Sequence, residues 1–249
     1  MTKNTISKIE GLTNNRNSRI RALEVFLESL FLFTNNKFYA ILLNENSMKI
    51  DSKSEESKLE TRKEQKERRR QEIIQAGLEL FVSKGYAATK ITDIAKRANM
   101  STGLMFHYFE SKEALYEELI RMGLEGTAYP AEQKCEHAID FFVNFTEVLF
   151  EFMKKQPVVA KMFVLMADAQ RSEATPEHIR EIALKVNTIE QFVPIIQWGQ
   201  QEGTIKEGDP LVISNAFWCC IQGIAERYAT NPEIELPKAE WIVDIVRKK

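Results

Sequence analysis

The sequence of 249 residues contains little cysteine, proline and glycine, with 3, 7 and 10 of these residues respectively. The three cysteines form no Cys-x-x-Cys pair, which argues against a disulfide framework and a structural metal site. Few prolines and glycines leave long stretches without helix breakers, so the chain is expected to be mainly helical. Adjacent Cys219 and Cys220 lie in an apolar stretch, where buried thiols in a reducing, cytoplasmic setting are expected.

The sequence also lacks a long uncharged hydrophobic run. The most apolar N-terminal stretch, residues 23–43, is interrupted by Glu24 and Glu28, whereas a membrane-spanning helix needs about 20 mostly apolar residues. We therefore expect no membrane segment. The residues that follow, 44–68, are polar and predict a linker, in which Met48 offers an internal start.

An excess of one charge is absent, since 34 basic residues nearly balance 36 acidic ones. The charges are unevenly placed, however. Residues 62–112 hold 11 basic and 6 acidic side chains, whereas residues 113–249 hold 14 basic and 22 acidic side chains. A basic segment ahead of an acidic one favours a polyanion-binding head on a body that binds something else. A solvated charged helix explains the basic segment equally well, and charge alone does not separate the two.

A helix-turn-helix is predicted within residues 62–126. Apolar residues recur at three- and four-residue steps from Ile73, and Gly85 follows where a helix end favours glycine. Two short helices then share a tight turn at Asn99, an arrangement that places the second helix in the DNA major groove. The residues expected to cap the second, third and fourth helices are Thr92, Ser101 and Ser111.

The remaining sequence predicts a body of helices separated by proline and glycine. The segment 134–155 is apolar over a wide arc, which is typical of a helix covered by neighbours on more than one side. The predicted helices of the body span residues 134–155, 158–170, 176–201, 210–229 and 237–249.

Several sequence blocks follow one another between residues 70 and 119. They are Ala76, Leu80, Phe81, Gly85 and Tyr86; the run 90–95; Ser101 and Gly103; His107, Tyr108 and Phe109; and Ser111, Lys112, Glu113 and Leu115. In this order and spacing they resemble the DNA-binding domain of the TetR family of bacterial transcriptional regulators. Beyond residue 119 the resemblance is architectural only, a helical body of suitable length.

The resemblance implies an all-α fold with an N-terminal three-helix, helix-turn-helix DNA-binding head and a larger C-terminal helical body for ligand binding and dimerisation. It implies a ligand-responsive repressor that binds a pseudo-palindromic operator in double-stranded DNA as a homodimer. A small, largely apolar inducer of unspecified identity would release it. The domains would be an N-terminal extension and polar linker (1–61), a DNA-binding domain (62–110) and the body (111–249). Residues 1–47 should then be dispensable for DNA binding.

The third predicted helix, residues 102–108, carries most of the expected DNA contacts. Met105 and Phe109 are four residues apart and should face inward, which turns their neighbours outward. Leu104 then either touches a thymine methyl group or packs on the first helix. Many family members have tyrosine where Phe106 stands. The predicted DNA-binding residues, partly carried over from the family, are Thr92, Ser101, Thr102, Gly103, Leu104, Phe106, His107, Tyr108 and Lys112.

An apolar ligand pocket is predicted inside the body, because phenylalanine and methionine supply adaptable apolar walls. The helix 111–126 should couple this pocket to the DNA-binding head. A Phe145→Trp substitution should fill the pocket. The predicted lining consists of Phe141, Asn144, Phe145, Leu149, Met162, Met166, Phe192 and Trp218.

The resemblance also implies that the last two helices of the body pair across a two-fold axis. The apolar residues expected on their paired faces are Phe217, Ile221, Ile224, Trp241 and Ile245. No membrane partner is expected.

Two other classes of protein remain open. A DNA-binding regulator or architectural protein without a small-molecule ligand would have a tightly filled body. An enzyme with an acquired DNA-binding head would group His137, Asp140 and Asp168 around a cavity. The sequence shows no nucleophile–base motif and no phosphate-binding glycine loop, so neither catalysis nor a cofactor or metal is expected.

Overall fold

The computed structural model describes residues 61–126 and 135–249, and the predicted N-terminal extension lies outside these residues except for Thr61. The regular secondary structure of the described residues is helical, apart from one isolated antiparallel bridge between Ile205 and Arg247. The predicted all-α fold is confirmed. The helices are α1 (Arg62–Ala88), α2 (Ile91–Arg97), α3 (Thr102–Phe106), α4 (Lys112–Gly126), α5 (Ala138–Lys155), α6 (Val158–Arg171), α7 (Glu177–Ala183), α8 (Thr188–Glu202), α9 (Pro210–Thr230) and α10 (Ala239–Val243).

Helix α1 begins with a capping box and breaks near its end. The Thr61 hydroxyl accepts a hydrogen bond from the Glu64 amide at 3.2 Å, and the Glu64 carboxylate accepts one from the Thr61 amide at 2.8 Å. Gly85 has φ 77° and ψ 165°, a conformation that is essentially restricted to glycine. The chain therefore turns at Gly85 as predicted, although a last helical turn follows it.

Local side-chain caps hold the helix-turn-helix in shape. The Ser101 hydroxyl accepts a hydrogen bond from the Leu104 amide at 3.1 Å, and the Ser111 hydroxyl accepts one from the Ala114 amide at 3.0 Å. Asn99 has φ 52°, the left-handed conformation that asparagine tolerates best after glycine. These three predicted roles are confirmed.

The predicted cap at Thr92 is wrong. Helix α2 begins at Ile91, before Thr92, and its N-cap residue is Lys90. The Lys90 side chain makes no capping hydrogen bond. Thr92 lies in the first turn of α2 with an exposed side chain. Its hydroxyl is therefore accessible to a phosphate group rather than used as a cap.

The predicted helix 176–201 is two helices, α7 and α8. The side-chain amide of Gln170, at the end of α6, donates a hydrogen bond to the carbonyl of Ala183 at 2.9 Å. The Ala183 carbonyl also accepts a hydrogen bond from the Val186 amide at 3.2 Å, so it has two donors where α7 ends. Helix α8 then begins at Thr188.

The predicted last helix, 237–249, is also wrong in length, because α10 covers only Ala239–Val243. The chain after α10 pairs with the segment that follows α8. The Lys206 amide donates to the Val246 carbonyl and the Lys248 amide donates to the Thr204 carbonyl, both at 3.0 Å. These backbone bonds replace the helical ones at the C-terminus.

The buried side chains form two clusters, and α6 contributes to both. The first core contains residues of α1, α2, α3, α4, α6 and α7. The second core contains residues of α5, α6, α8, α9 and α10. Helices α6 and α7 therefore share a core with the DNA-binding head, although the sequence places them in the body. Representative buried residues are Ile73, Met105, Leu115, Met162 and Ile179 in the first core and Phe142, Ala160, Ile196, Phe217 and Val243 in the second.

Candidate functional site

Helix α3 has one buried face and one exposed face. Met105 and Phe109 are buried, with 0% and 6% of their surfaces exposed, and anchor the helix in the first core. Leu104 and Phe106 are 40% and 49% exposed. Leu104 therefore does not pack against α1, which was one of its two expected positions. The outward face of α3 is the surface that a helix-turn-helix presents to the major groove.

The start of α3 allows a close approach to a partner. Gly103 is exposed, and a Cβ atom at this position would meet no atom within 4 Å. Its neighbour Thr102 is half-buried, and His107, which caps the end of α3, is exposed. Of the predicted DNA-binding residues, only Tyr108, Thr102 and Lys112 are partly covered by the protein itself.

Lys112 has a partner inside the protein that sequence reasoning missed. Its ammonium group donates a hydrogen bond to the Tyr86 carbonyl at 2.7 Å and lies 4.0 Å from the centroid of the Tyr86 ring. Burial lowers the pKa of Lys112, and the opposing effect of Glu113 is smaller. Lys112 thus ties the start of α4 to the turn after Gly85. An ammonium group has three N–H donors, so this bond does not prevent a phosphate contact.

Replacing Lys112 with methionine should lower the free energy of unfolding by roughly 1–2 kcal/mol, because the Tyr86 carbonyl loses a charge-assisted hydrogen bond. Urea denaturation measures the change. Lys96→Met, at an exposed position of α2, is the matched control and should change stability by less than about 0.5 kcal/mol. Equal stability of the two variants would show that the link to Tyr86 does not stabilise the fold.

Ion pairs position the helix-turn-helix on its neighbours. The Glu79 carboxylate of α1 accepts a hydrogen bond from Arg97 Nε of α2 at 2.8 Å and lies 3.6 Å from Lys161 Nζ of α6. Arg70 Nη2 of α1 lies 2.7 Å from a Glu118 oxygen of α4. Pairs that are partly exposed contribute little stability. Their effect is to fix the orientation of α2, α4 and α6 around α1.

Helix α4 lies directly against α6 at Gly123. A Cβ atom at Gly123 would collide with the side chain of Met166, so the close approach requires glycine. Nearer the head, Tyr116 of α4 is 1% exposed, and burial raises the pKa of Tyr116 to about 12. The Thr175 hydroxyl interacts with the Tyr116 hydroxyl, and this interaction only partly offsets the effect of burial on the Tyr116 pKa. Helices α4 and α6 are in direct contact at Gly123.

The second core contains a cluster of aromatic rings around Phe145. The Phe145 ring centroid lies 5.0 Å from that of Phe192, 5.5 Å from Trp218 and 6.3 Å from Phe217. These separations are contact distances for aromatic side chains. The Trp218 Nε1 group is buried within this cluster without a hydrogen-bond partner in the described part of the chain.

The eight residues predicted to line a pocket do not surround one space. Phe141, Phe145, Phe192 and Trp218 lie in or against the second core, but Met162 and Met166 lie in the first core. The two groups are separated because α6 is buried on two faces. Of the remaining two, Leu149 packs against the second core and the Asn144 amide lies 3.8 Å from the Cys135 sulfur.

The predicted pairing face of α9 is also wrong in part. Phe217 and Ile221 are 0% exposed because they face the second core. The opposite face of α9 is exposed and includes Cys219, so this thiol is not buried as expected, while Cys220 is half-buried. The exposed side chains on this outward face of α9 include Val212, Ala216, Cys219, Gly223 and Arg227.

Two kinds of site are missing from the described part of the chain. No group of three or more His, Cys, Asp or Glu side chains there could hold a metal ion. No helix in the described ranges is both long and apolar enough to cross a membrane. His137 is one of the three residues that an enzyme would group around a cavity. Its Nδ1 atom lies 3.7 Å from a Glu202 oxygen.

The fold and the exposed face of α3 define a helix-turn-helix DNA-binding protein with a helical body. Residues 73–119 match the family model described as bacterial regulatory proteins, tetR family. The uncharacterized HTH-type transcriptional regulator YhgD of Bacillus subtilis is 27% identical over 147 residues, which are 57% of this chain and 74% of the relative. The HTH-type transcriptional regulator HbdR of Aromatoleum is 38% identical over 84 residues, 29% of this chain and 36% of the relative.

Solved structures share the fold over most of this chain. The ketosteroid transcriptional regulator KstR2 of Mycobacterium tuberculosis has a TM-score of 0.59 at 20% identity, over 73% of this chain and 96% of that structure. The MbdR regulator of Azoarcus has a TM-score of 0.59 at 18% identity, over 71% of this chain and 96% of that structure. Residues 73–119 therefore form a DNA-binding domain of the TetR family of bacterial transcriptional regulators.

Proposed function

We propose that this regulator is a repressor that acts in the cytoplasm and binds a pseudo-palindromic operator as a homodimer. A small, largely apolar molecule releases it from the DNA. The observation that carries the DNA-binding part is the geometry of α3, whose Met105 and Phe109 are buried while Leu104 and Phe106 are exposed. A recognition helix anchored in this way presents a fixed set of side chains to base edges.

The outward face of α9 supports the homodimer. It runs along a helix of 21 residues and carries small or apolar side chains at Val212, Ala216, Cys219 and Gly223. Small residues allow the equivalent helix of a second protomer to approach closely. A groove of about 370 Å³ borders this face and could receive side chains of the partner; its lining includes Cys219, Gly223, Ile224, Arg227, Leu236 and Pro237. A two-fold axis here would present two α3 helices to successive major grooves about 34 Å apart.

Replacing Gly223 with arginine should convert the dimer to a monomer, with at least about a tenfold rise in the dissociation constant. Gly223 is exposed and a Cβ atom there meets nothing within 4 Å, so the protomer itself has room for the side chain. Sedimentation velocity measures the association. Ala174→Arg, at an exposed position before α7, adds the same side chain and should remain dimeric. A dimeric Gly223→Arg protein would exclude this face.

The connection between the two cores supports a ligand response. A molecule that rearranges the second core would move α6, because α6 packs in both cores. Helix α6 lies against α4 at Gly123, and α4 carries the head. The unpartnered Trp218 Nε1 group offers a hydrogen-bond donor to such a molecule. A difference in affinity between two states of about 1–3 kcal/mol is enough for a useful response.

The packing around Phe145 changes the expectation for Phe145→Trp. Because neighbouring rings lie 5.0 to 6.3 Å from the Phe145 ring, a larger ring overpacks the second core instead of filling a cavity there. The same packing favours the second candidate function, a DNA-binding regulator without a small-molecule ligand. A ligand at this place must displace aromatic side chains.

Selection of bound fragments from genomic DNA tests the proposed function. The expected result is enrichment of one sequence with two similar inverted half-sites, bound by a dimer. Apolar compounds are then screened for release of that fragment. Binding without sequence preference would contradict the repressor. If the binding is specific but no compound weakens it, the second candidate function, a DNA-binding regulator without a small-molecule ligand, describes the protein better.

A further inference from the structure

The exposed face of α3 is apolar where a recognition helix usually carries hydrogen-bonding side chains. From Thr102 to Phe106 the sequence is Thr-Gly-Leu-Met-Phe, which contains no arginine, lysine, asparagine or glutamine. Those four residue types make the paired hydrogen bonds that distinguish guanine and adenine in the major groove. The two largest exposed side chains on the helix are Leu104 and Phe106.

These two side chains are held in place by the rest of the head. The Ser101 cap fixes the start of α3 through its hydrogen bond to the Leu104 amide, at 3.1 Å. Met105, between them, is 0% exposed and locks the helix in the first core. Leu104 and Phe106 are therefore exposed apolar groups on a rigid support, one on each side of the outward face of α3.

The basic side chains near α3 do not supply base recognition from this helix. Lys90 and Lys96 are exposed on and before α2, where they can contact phosphates. Arg97 Nε donates a hydrogen bond to the Glu79 carboxylate at 2.8 Å. Lysine side chains are therefore available on and before α2, whereas α3 itself carries no lysine or arginine. The apolar group that base pairs present in the major groove is the C5-methyl group of thymine.

We propose that Leu104 and Phe106 read thymine methyl groups, so that each operator half-site places thymines against α3. This inference rests on the proposed DNA-binding function and specifies how the operator is recognised. Methyl contact discriminates thymine from cytosine and from both purines without a hydrogen bond to the base. Sequence preference should then depend on the methyl group itself rather than on the pairing edge of the base.

Replacing thymine by deoxyuridine in the selected operator tests this directly, because it removes the methyl group and leaves the hydrogen-bonding groups unchanged. Each half-site thymine in contact should give about a fourfold loss of affinity, the effect of burying one methyl-sized group. Deoxyuridine placed outside the half-sites is the control and should have no effect. Fluorescence anisotropy at fixed salt measures the dissociation constants.

Protein variants locate the contact. Leu104→Ala and Phe106→Ala should bind the thymine and deoxyuridine operators with more nearly equal affinity, each losing the sensitivity at its own position. Glu110→Ala, at an exposed residue outside the predicted DNA-binding set, should keep the full sensitivity. Thermal unfolding verifies that the three variants are folded, as expected for exposed positions.

The outcomes are distinguishable. Failure to select any preferred sequence would overturn the proposed function itself. A preferred operator whose affinity is unchanged by deoxyuridine at every half-site thymine would overturn the methyl contact alone. Undiminished sensitivity in both Leu104→Ala and Phe106→Ala would also overturn it, since the methyl groups would then be read by other residues.

Discussion

Replacing Gly103 with leucine should lower operator affinity at least about a hundredfold, equal to about 2.7 kcal/mol, without unfolding the protein. Gly103 lies in the first turn of α3, is exposed, and would have no atom within 4 Å of an added Cβ. The side chain therefore meets nothing in the free protein. In the complex it would occupy the space through which the helix approaches the DNA.

Two measurements separate these effects. Operator affinity is measured by fluorescence anisotropy, and stability by urea denaturation. Stability should stay the same or rise slightly, because leucine favours a helix by up to about 1 kcal/mol relative to glycine. Gly103→Ala should lose less affinity than Gly103→Leu, since one methyl group intrudes less. Wild-type affinity in Gly103→Leu would show that the start of α3 does not approach DNA closely.

Phe142→Ala should lower the free energy of unfolding by about 3–5 kcal/mol, the usual effect of removing a buried aromatic ring. Phe142 is 0% exposed, and its ring centroid lies 5.0 Å from that of Phe217 and 5.7 Å from that of Phe192. The deletion leaves a cavity that these large neighbours fill poorly. Because α6 packs in both cores, the loss should destabilise the head as well as the body.

Phe106→Ala provides the matched control, since it removes the same ring from a residue that is 49% exposed. It should change stability by less than about 0.5 kcal/mol. Urea unfolding is followed by far-ultraviolet circular dichroism in both variants. A loss below about 1 kcal/mol in Phe142→Ala would mean that the second core is loosely packed. Such a core would accept a ligand more readily than the ring distances indicate.

The exposed face of α3 could be predicted from the sequence because its determinants are local. The Ser101 and Ser111 hydroxyls bond to amides three residues ahead, and the left-handed turn at Asn99 follows from its own side chain. The four-residue spacing of Met105 and Phe109 sets the inward face of α3. Even here, the sequence left two positions open for Leu104, and burial against α1 could be judged only in three dimensions.

The body could be predicted only in outline. Its helical character and most helix starts follow from proline, glycine and apolar spacing. Helix α9, for example, begins at Pro210, and the Asp209 carboxylate caps it by accepting a hydrogen bond from the Leu211 amide. The partition of its apolar residues between two cores could not be read in this way, since periodicity marks Met162 and Phe145 alike as buried. The predicted pocket therefore joined residues that the structure places in separate clusters.

The sequence by itself determined the helix-turn-helix, its caps at Ser101 and Ser111 and the outward direction of α3, because each depends on hydrogen bonds and spacings within about four residues. The tertiary structure alone decided which interactions interrupt or redirect these patterns. The Gln170 side chain of α6 donates a hydrogen bond to the Ala183 carbonyl at the end of α7. Residues 204–206 pair with the chain after α10, and the Tyr86 carbonyl accepts a hydrogen bond from Lys112, 26 positions further on. Such partners are distant in the chain, so only packing brings them within hydrogen-bonding distance.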